Sequence, residues 1–146
     1  MKTVIICCLM ALICLNASGQ KKEINLQGAW KLSVYQEIEE NRVVTYYPGI
    51  YKGEQIKIWS RDRIIFVNRN TDGTNTNNWF GSGTFNLKGN KYEEFYTIHC
   101  FPHLENKVLR LKVEMKNDTL IQTYFLNEKF EMDEKSTHIE KYLKIN

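Results

Sequence analysis

The sequence predicts an all-β chain of about nine strands, folded as an antiparallel barrel or sandwich, and three observations carry that prediction. First, Leu109, Leu111, Val113 and Met115 alternate with Arg110, Lys112 and Glu114. A period of two over seven residues is what a half-buried strand produces. Second, eight further runs have the same character and are rich in Val, Ile, Thr, Tyr, Phe and Trp, the residues that pleated surfaces favour. Third, helical periodicity is weak throughout, and nothing resembles a strand–helix–strand unit. Many short strands joined by hairpin-length links suggest a barrel or sandwich.

The elements follow in order. Residues 28–35 form the first strand, opened by Gly28, where a bend helps to close a barrel. Trp30 is expected to plug the narrow end and stabilise the barrel, because small barrels fill their interiors with side chains. Residues 37–41 read as one turn and 42–47 as the second strand, stopped by Pro48-Gly49. Strands at 55–59 and 63–68 flank the turn Arg61-Asp62. Residues 68–78 (NRNTDGTNTNN) hold five asparagines and read as a solvated loop, which at this length can also serve as a lid. Strands at 78–87 and 91–99 are joined by Lys88-Gly89-Asn90, and those at 109–115 and 119–126 by Asn117-Asp118. Residues 127–136 suit a short helix or a loop, and 138–145 close the chain as a strand.

The N-terminus reads as an export signal rather than as part of the fold. Lys2 supplies a positive start, residues 4–15 carry no charge, and Ala17-Ser18-Gly19 offers small residues for cleavage before Gln20. The apolar run is too short for a membrane span, which needs about 20 residues. The expected organisation is a signal peptide at 1–19 and one barrel domain at 20–146, with the product periplasmic or extracellular. Cys7, Cys8 and Cys14 leave with the signal, so Cys100 is the one cysteine of the mature 127 residues and no disulfide can form within a chain. It suits a buried thiol, a bridge between chains or a reactive group. Composition is that of a globular domain, with 25% charged, 42% hydrophobic and 12% aromatic residues. A net charge of +3, with no dense Lys/Arg run, gives no case for nucleic acid.

Several motifs resemble the small exported bacterial lipocalin-like domains of the calycin superfamily. Leu26-Gln27-Gly28-Ala29-Trp30-Lys31-Leu32 looks like the opening Gly-x-Trp motif of lipocalins. Gly81-Ser82-Gly83-Thr84-Phe85, followed by Gly89-Asn90-Lys91-Tyr92-Glu93-Glu94, is similar to the central hairpin of those domains. Asn117-Asp118-Thr119-Leu120-Ile121-Gln122 and Ile139-Glu140-Lys141-Tyr142 also match. The resemblance spans nearly all of the mature chain and implies an all-β antiparallel up-and-down β-barrel of about 8–9 strands that binds a small molecule. It departs from the family where classical lipocalins stack a closing-strand arginine on the tryptophan; Lys141 or Lys144 would have to replace it. The classical disulfides are absent as well.

Three groups of residues are candidates for function. The aromatic set comprises Trp59, Phe66, Trp79, Phe80, Tyr92, Phe95, Tyr96, Tyr124 and Tyr142. Ligand sites in barrels have mostly apolar walls with few polar groups, although aromatics also dominate ordinary cores. The polar set comprises Glu94, Gln122 and Glu140. If Tyr92, Glu94, Tyr96 and Ile98 share a face, Glu94 points inward. Gln122 lies on the face of Leu120 and Tyr124, and Glu140 on that of His138 and Tyr142. The alternative has both glutamates in solvent beside Lys91 and Lys141, since a slip of one residue reverses every side chain. The third group is His99 and His103, four apart but broken by Pro102, which lack the further ligands zinc needs.

The expected function is non-enzymatic binding of a small hydrophobic or amphipathic ligand within the barrel. Trp59, Phe66, Trp79, Tyr96, Tyr124 and Tyr142 would form walls, with Glu94, Gln122 and Glu140 orienting the ligand and Gly28 and Trp30 structural. One alternative is a cell-envelope interaction module, packed solid, that binds a protein or glycan through loops. A third reading is a small barrel enzyme, an isomerase or hydrolase using a buried glutamate, for which Glu93 and Glu94 with His99 would supply the acid–base groups. Against an enzyme, the chain has no nucleophile elbow, phosphate loop or His-Glu-x-x-His. No cofactor, metal or stable membrane insertion is expected, and oligomeric state is not legible.

Overall fold

The structure, a computed structural model, describes residues 23–39, 42–124, 126–132 and 137–145. The signal peptide expected at 1–19 lies outside the described residues. Nine strands account for most of the described chain: β1 (Gly28–Glu39), β2 (Arg42–Tyr47), β3 (Lys52–Ser60), β4 (Arg63–Asp72), β5 (Asn75–Lys88), β6 (Lys91–His99), β7 (Val108–Lys116), β8 (Thr119–Tyr124) and β9 (Thr137–Lys144). A single turn of 3-10 helix, Pro102–Leu104, lies between β6 and β7. Among the described residues no helix is long and apolar enough to cross a membrane.

Every neighbouring pair is antiparallel, and β1 pairs with β9 to close the sheet. The barrel is therefore made of eight strands, β1 and β3 to β9. The near half of β1 pairs with β3 (Gly28 opposite Trp59), and its far half pairs with β2 (Glu39 opposite Arg42). So β2 is an extra strand, continuing the edge where β3 leaves off. This is the fold class read from the sequence, and it is compatible with a lipocalin-like barrel.

Two sequence readings are corrected. Residues 68–78 are not an open loop: β4 runs to Asp72 and β5 starts at Asn75, so only Gly73-Thr74 turns. The asparagines pair across this hairpin, Asn70 with Asn77 and Arg69 with Asn78. Polar composition suits a loop and a polar strand end alike, and the two-residue turn Gly73-Thr74 between such ends suffices here. Residues 37–39 are likewise strand, part of the β1–β2 ribbon.

A third correction concerns facing. Tyr92, Glu94 and Tyr96 face inward, but Ile98 is exposed and His99 is buried. Ser82 pairs with Ile98 and Gly83 with Tyr96, leaving Thr97 as an extra residue on β6. This bulge reverses the alternation beyond it. Phe80 and Phe95, candidates for the interior, lie on the outer face with Ile58, Ile65 and Val67.

The interior has two halves. Around the start of β1, Trp30, Leu32, Trp59, Ile64, Tyr92, Leu111, Val113, Leu120 and Tyr142 pack as a filled core, with Leu26 of the preceding segment. Trp30 is 2% exposed and donates its Nε1 hydrogen to the Leu26 carbonyl at 2.8 Å. Lys144 carries its Nζ 5.5 Å from the centre of the Trp30 ring, the place where the family resemblance calls for a cation on this tryptophan. Gly28 makes room for it: the backbone φ is +112°, and a Cβ there would sit 3.2 Å from Lys144 Cε.

Candidate functional site

The other half of the barrel encloses a cavity of about 200 Å³. It lies where β1, β4, β6 and β8 end and β3, β5, β7 and β9 begin. The surface it offers is mainly apolar, and Lys52, Glu54 and Arg69 stand exposed at its mouth. β5 contributes Trp79, and its Gly81 has no side chain to collide with the lining rings of Phe66 and His99 beside it.

Beneath the cavity lies a buried charge network centred on Lys57 of β3, which is 3% exposed. Its ammonium donates to Glu140 Oε2 at 2.9 Å, to Gln122 Oε1 at 2.9 Å and to the Tyr124 hydroxyl. Those three bonds use all the hydrogens an ammonium has. Glu94 Oε1 stands 3.9 Å from Lys57 Nζ and accepts no hydrogen bond from the described residues, while Glu94 Oε2 accepts one from the Tyr96 hydroxyl at 2.7 Å. Glu140 Oε2 also accepts from the Tyr142 hydroxyl at 2.7 Å, and Glu140 Oε1 accepts from Gln55 Nε2 at 3.3 Å. Gln55 in turn accepts from Asn68 Nδ2 at 3.0 Å. Residues from β3, β4, β6, β8 and β9 are thus tied across the barrel by one cation, and a buried charge persists only when paired in this way.

The two glutamates are held differently. Burial drives the Glu94 carboxyl upward from its ordinary value, against the pull of Lys57. Burial acts on Glu140 too, but Lys57, His138 and the bond from Tyr142 outweigh it and hold this carboxyl at about 2. Burial, and then the nearby glutamates, push the Tyr96, Tyr124 and Tyr142 hydroxyls well above the usual phenol range, so they remain donors. His138 is pushed down to about 4 by burial and by Lys57, with Glu140 opposing.

An acid dependence follows. Unfolded, His138 binds a proton below about 6.5, whereas the folded chain refuses it until about 4. The unfolded state therefore holds more protons in that window, and stability falls as pH drops through it, by on the order of 3 kcal/mol. Glu140 extends the loss below its ordinary carboxylate range, while Glu94, whose shift is upward, gains stability on protonation and offsets part of it. Urea midpoints measured from pH 7 to 4 should fall more for the wild type than for His138→Phe. Equal slopes in the two proteins would remove His138 as the cause.

Aromatic rings line the cavity on two sides. One wall comes from β8, β9 and β1 with the start of β3: His138 stacks on Tyr124 at 4.2 Å between centroids and lies 5.4 Å from Tyr35, and Tyr51 stacks 6.5 Å from Tyr35. Tyr47 of β2 joins it at the mouth. The other wall comes from β4, β5 and β6 and the 3-10 turn. Phe66 meets Tyr96 at 5.6 Å and His99 at 5.4 Å, and Phe101 meets His99 at 5.5 Å and Trp79 at 5.8 Å. Around an eight-strand ring these two sets of strands are diametrically opposed. β3 and β7 separate them, contributing Gln55, Lys57 and Leu109 to the cavity lining.

Of the residues singled out from the sequence, Phe66, Trp79, Glu94, Tyr96, Tyr124 and Glu140 line the cavity. Trp59, Gln122 and Tyr142 do not. Trp59 belongs to the filled core, donating to the Tyr92 hydroxyl at 2.6 Å, and Gln122 and Tyr142 lie in the network beneath. His99, singled out from the sequence as a metal-ligand or acid–base candidate, lines the cavity as well, while sequence reasoning missed Lys57, Gln55, Tyr35, Asn68 and Asn70. The signal for Lys57 and Gln55 was present, since a period of two puts them on the face of Trp59.

Among the described residues no group of three or more His, Cys, Asp and Glu side chains is placed to hold a metal. His99 Nδ1 accepts from the Phe101 amide at 2.9 Å, and His103 meets Phe101 in a ring contact at 5.9 Å. Cys100 is a half-buried free thiol. Compared with known proteins, the chain matches no family model and no curated protein.

Proposed function

We propose that this protein is an exported lipocalin-like carrier that binds a small hydrophobic or amphipathic molecule in the open half of its barrel and catalyses nothing. The observation that carries the reading is the aromatic-walled cavity of about 200 Å³ above a sealed polar floor. A packed interaction module has no use for such a space. The enzyme alternative rests on Glu94 alone, a cavity-lining carboxyl that burial shifts upward and whose Oε1 lacks a hydrogen-bond partner, because both oxygens of Glu140 already accept hydrogen bonds. Export rests on the Lys2, apolar and Ala17-Ser18-Gly19 pattern of the N-terminus. A cavity of about 150 Å³ holds benzene, and drug-sized pockets start near 300 Å³. The ligand is therefore about the size of one ring with a substituent or two, and its partner class is a small molecule, neither nucleic acid nor lipid bilayer.

The test is native mass spectrometry of protein purified from its own exported fraction, followed by organic extraction. One bound small molecule per chain, released by solvent, is the expected result. Repeated preparations without added mass, together with no uptake of small apolar probes at millimolar concentration, would reject the carrier.

A further inference from the structure

The cavity lining is aromatic to an unusual degree, and the placement of its rings narrows the ligand. Ten of the lining residues are Tyr, Phe, Trp or His, against three leucines, Leu32, Leu104 and Leu109. A site for a generic apolar chain needs no such bias, because burial of area rewards aliphatic and aromatic walls alike. Rings add an orientation-dependent attraction for other rings, through offset-stacked and edge-on contacts. The rings here also fall into two clusters on opposite sides of the barrel. Tyr35, Tyr124 and His138 are locked to one another on one side, and Phe66, Tyr96 and His99 on the other. Each cluster is buttressed by its own ring contacts, so the walls are set before any ligand arrives.

The polar groups fix a second property. The hydrogens of Lys57 are spent on Glu140, Gln122 and Tyr124, so it has none left for an anionic ligand. Among the described residues four buried polar side-chain atoms lack a hydrogen-bond partner: three acceptors on lining residues, Asn68 Oδ1, Asn70 Oδ1 and Glu94 Oε1, and one donor in the network beneath, Gln122 Nε2. Asn70 is 6% exposed and Glu94 1%. The three acceptors are closed off in the folded chain, so a donor reaches one only when a side chain shifts, and it then relieves an acceptor whose burial without a partner costs stability.

We infer that the ligand is a planar aromatic ring, about one ring in size, carrying an O–H or N–H donor and held between the two aromatic walls. This rests on the carrier reading and specifies its ligand class.

Two probes separate the ideas: 4-methylphenol and 4-methylcyclohexanol, which share a skeleton and a hydroxyl but differ in aromaticity. Titrations of the purified chain by calorimetry, checked by Trp fluorescence, should show the aromatic probe binding at least about tenfold tighter, the factor that about 1.4 kcal/mol of ring contact gives. Removing the donor, with 1,4-dimethylbenzene as probe, should weaken binding several-fold. Trp79→Leu and Tyr51→Leu each trim one wall near the mouth and should cut the aromatic preference about threefold or more. Trp79→Phe should restore most of it, which loss of structure alone would not do. Equal affinities for phenol and cyclohexanol overturn the aromatic slot while leaving the carrier standing. Equal affinities for 4-methylphenol and 1,4-dimethylbenzene overturn the donor. No binding of any probe overturns the carrier and the inference together.

Discussion

Lys57→Met should destabilise the protein by about 3–5 kcal/mol, one of the largest effects of any single substitution in the chain. The volume change is small and the loss is electrostatic. Lys57 balances Glu140 at 2.9 Å and stands 3.9 Å from Glu94, both buried. Without it, two carboxylates, the Tyr124 hydroxyl and Gln122 Oε1 are left around an apolar side chain. Those groups can recover by protonation, which would show as a midpoint that rises on mild acidification, opposite to the wild type, or by water entering the barrel, which would leave no such rise. Glu140→Gln alone should cost less, because Lys57 keeps Glu94 as a counter-charge. The double variant Lys57→Met/Glu140→Gln should cost clearly less than the two singles added together, with a coupling of about 2 kcal/mol or more in urea denaturation. Strict additivity would mean that the pair does not interact as its geometry says.

That cation also shows where sequence reading stops. Strand existence was legible because each strand carries its own alternation and its own turn: β7 with Arg110, Lys112 and Glu114 pointing out needs no tertiary context. Facing was harder wherever both faces are apolar. In β3, Ile56 and Ile58 alternate as convincingly as Gln55, Lys57 and Trp59, yet Ile58 is exposed and Lys57 buried. A lysine is placed inside only when its partners come from strands far away in sequence, here Gln122 and Glu140, and no local pattern encodes that convergence. The bulge at Thr97 is a similar case. One inserted residue sends Ile98 out and His99 in, and it is set by pairing with β5 rather than by any residue of β6. Of the candidate site, the deep carboxylates and the rings of β4, β6 and β8 were visible by facing rules, while the wall formed by Tyr35, Tyr51 and His138 depends on the barrel closing β1 against β9.

The two halves of the barrel divide the labour, and the filled half supplies the second large effect. Trp30→Ala should destabilise by about 3–5 kcal/mol, the range for truncating a buried large aromatic. Trp30 is 2% exposed, is tied to the Leu26 carbonyl at 2.8 Å, and is covered by Lys144. Removing the indole opens a cavity at the closed end and leaves the Leu26 carbonyl without its donor, while Leu26 in the core and the two bonds between Gln27 and the Arg61 backbone still hold the segment before β1. Lys144→Met should cost much less, about 0.5–1 kcal/mol, since the cation contact is partly exposed and its aliphatic stem is kept. Urea midpoints would rank the two: a Trp30→Ala protein as stable as the wild type would show that the closed end is held by the surrounding core alone. Binding gives an independent readout, because Trp30 does not line the cavity. At a temperature where the variant is still folded, its affinity for a cavity probe should stay within about twofold of wild type, whereas Trp79→Leu should lower affinity and leave the urea midpoint nearly unchanged. The opposite pattern, with Trp30→Ala weakening the probe and Trp79→Leu weakening the fold, would place the working end of this barrel at the start of β1 instead.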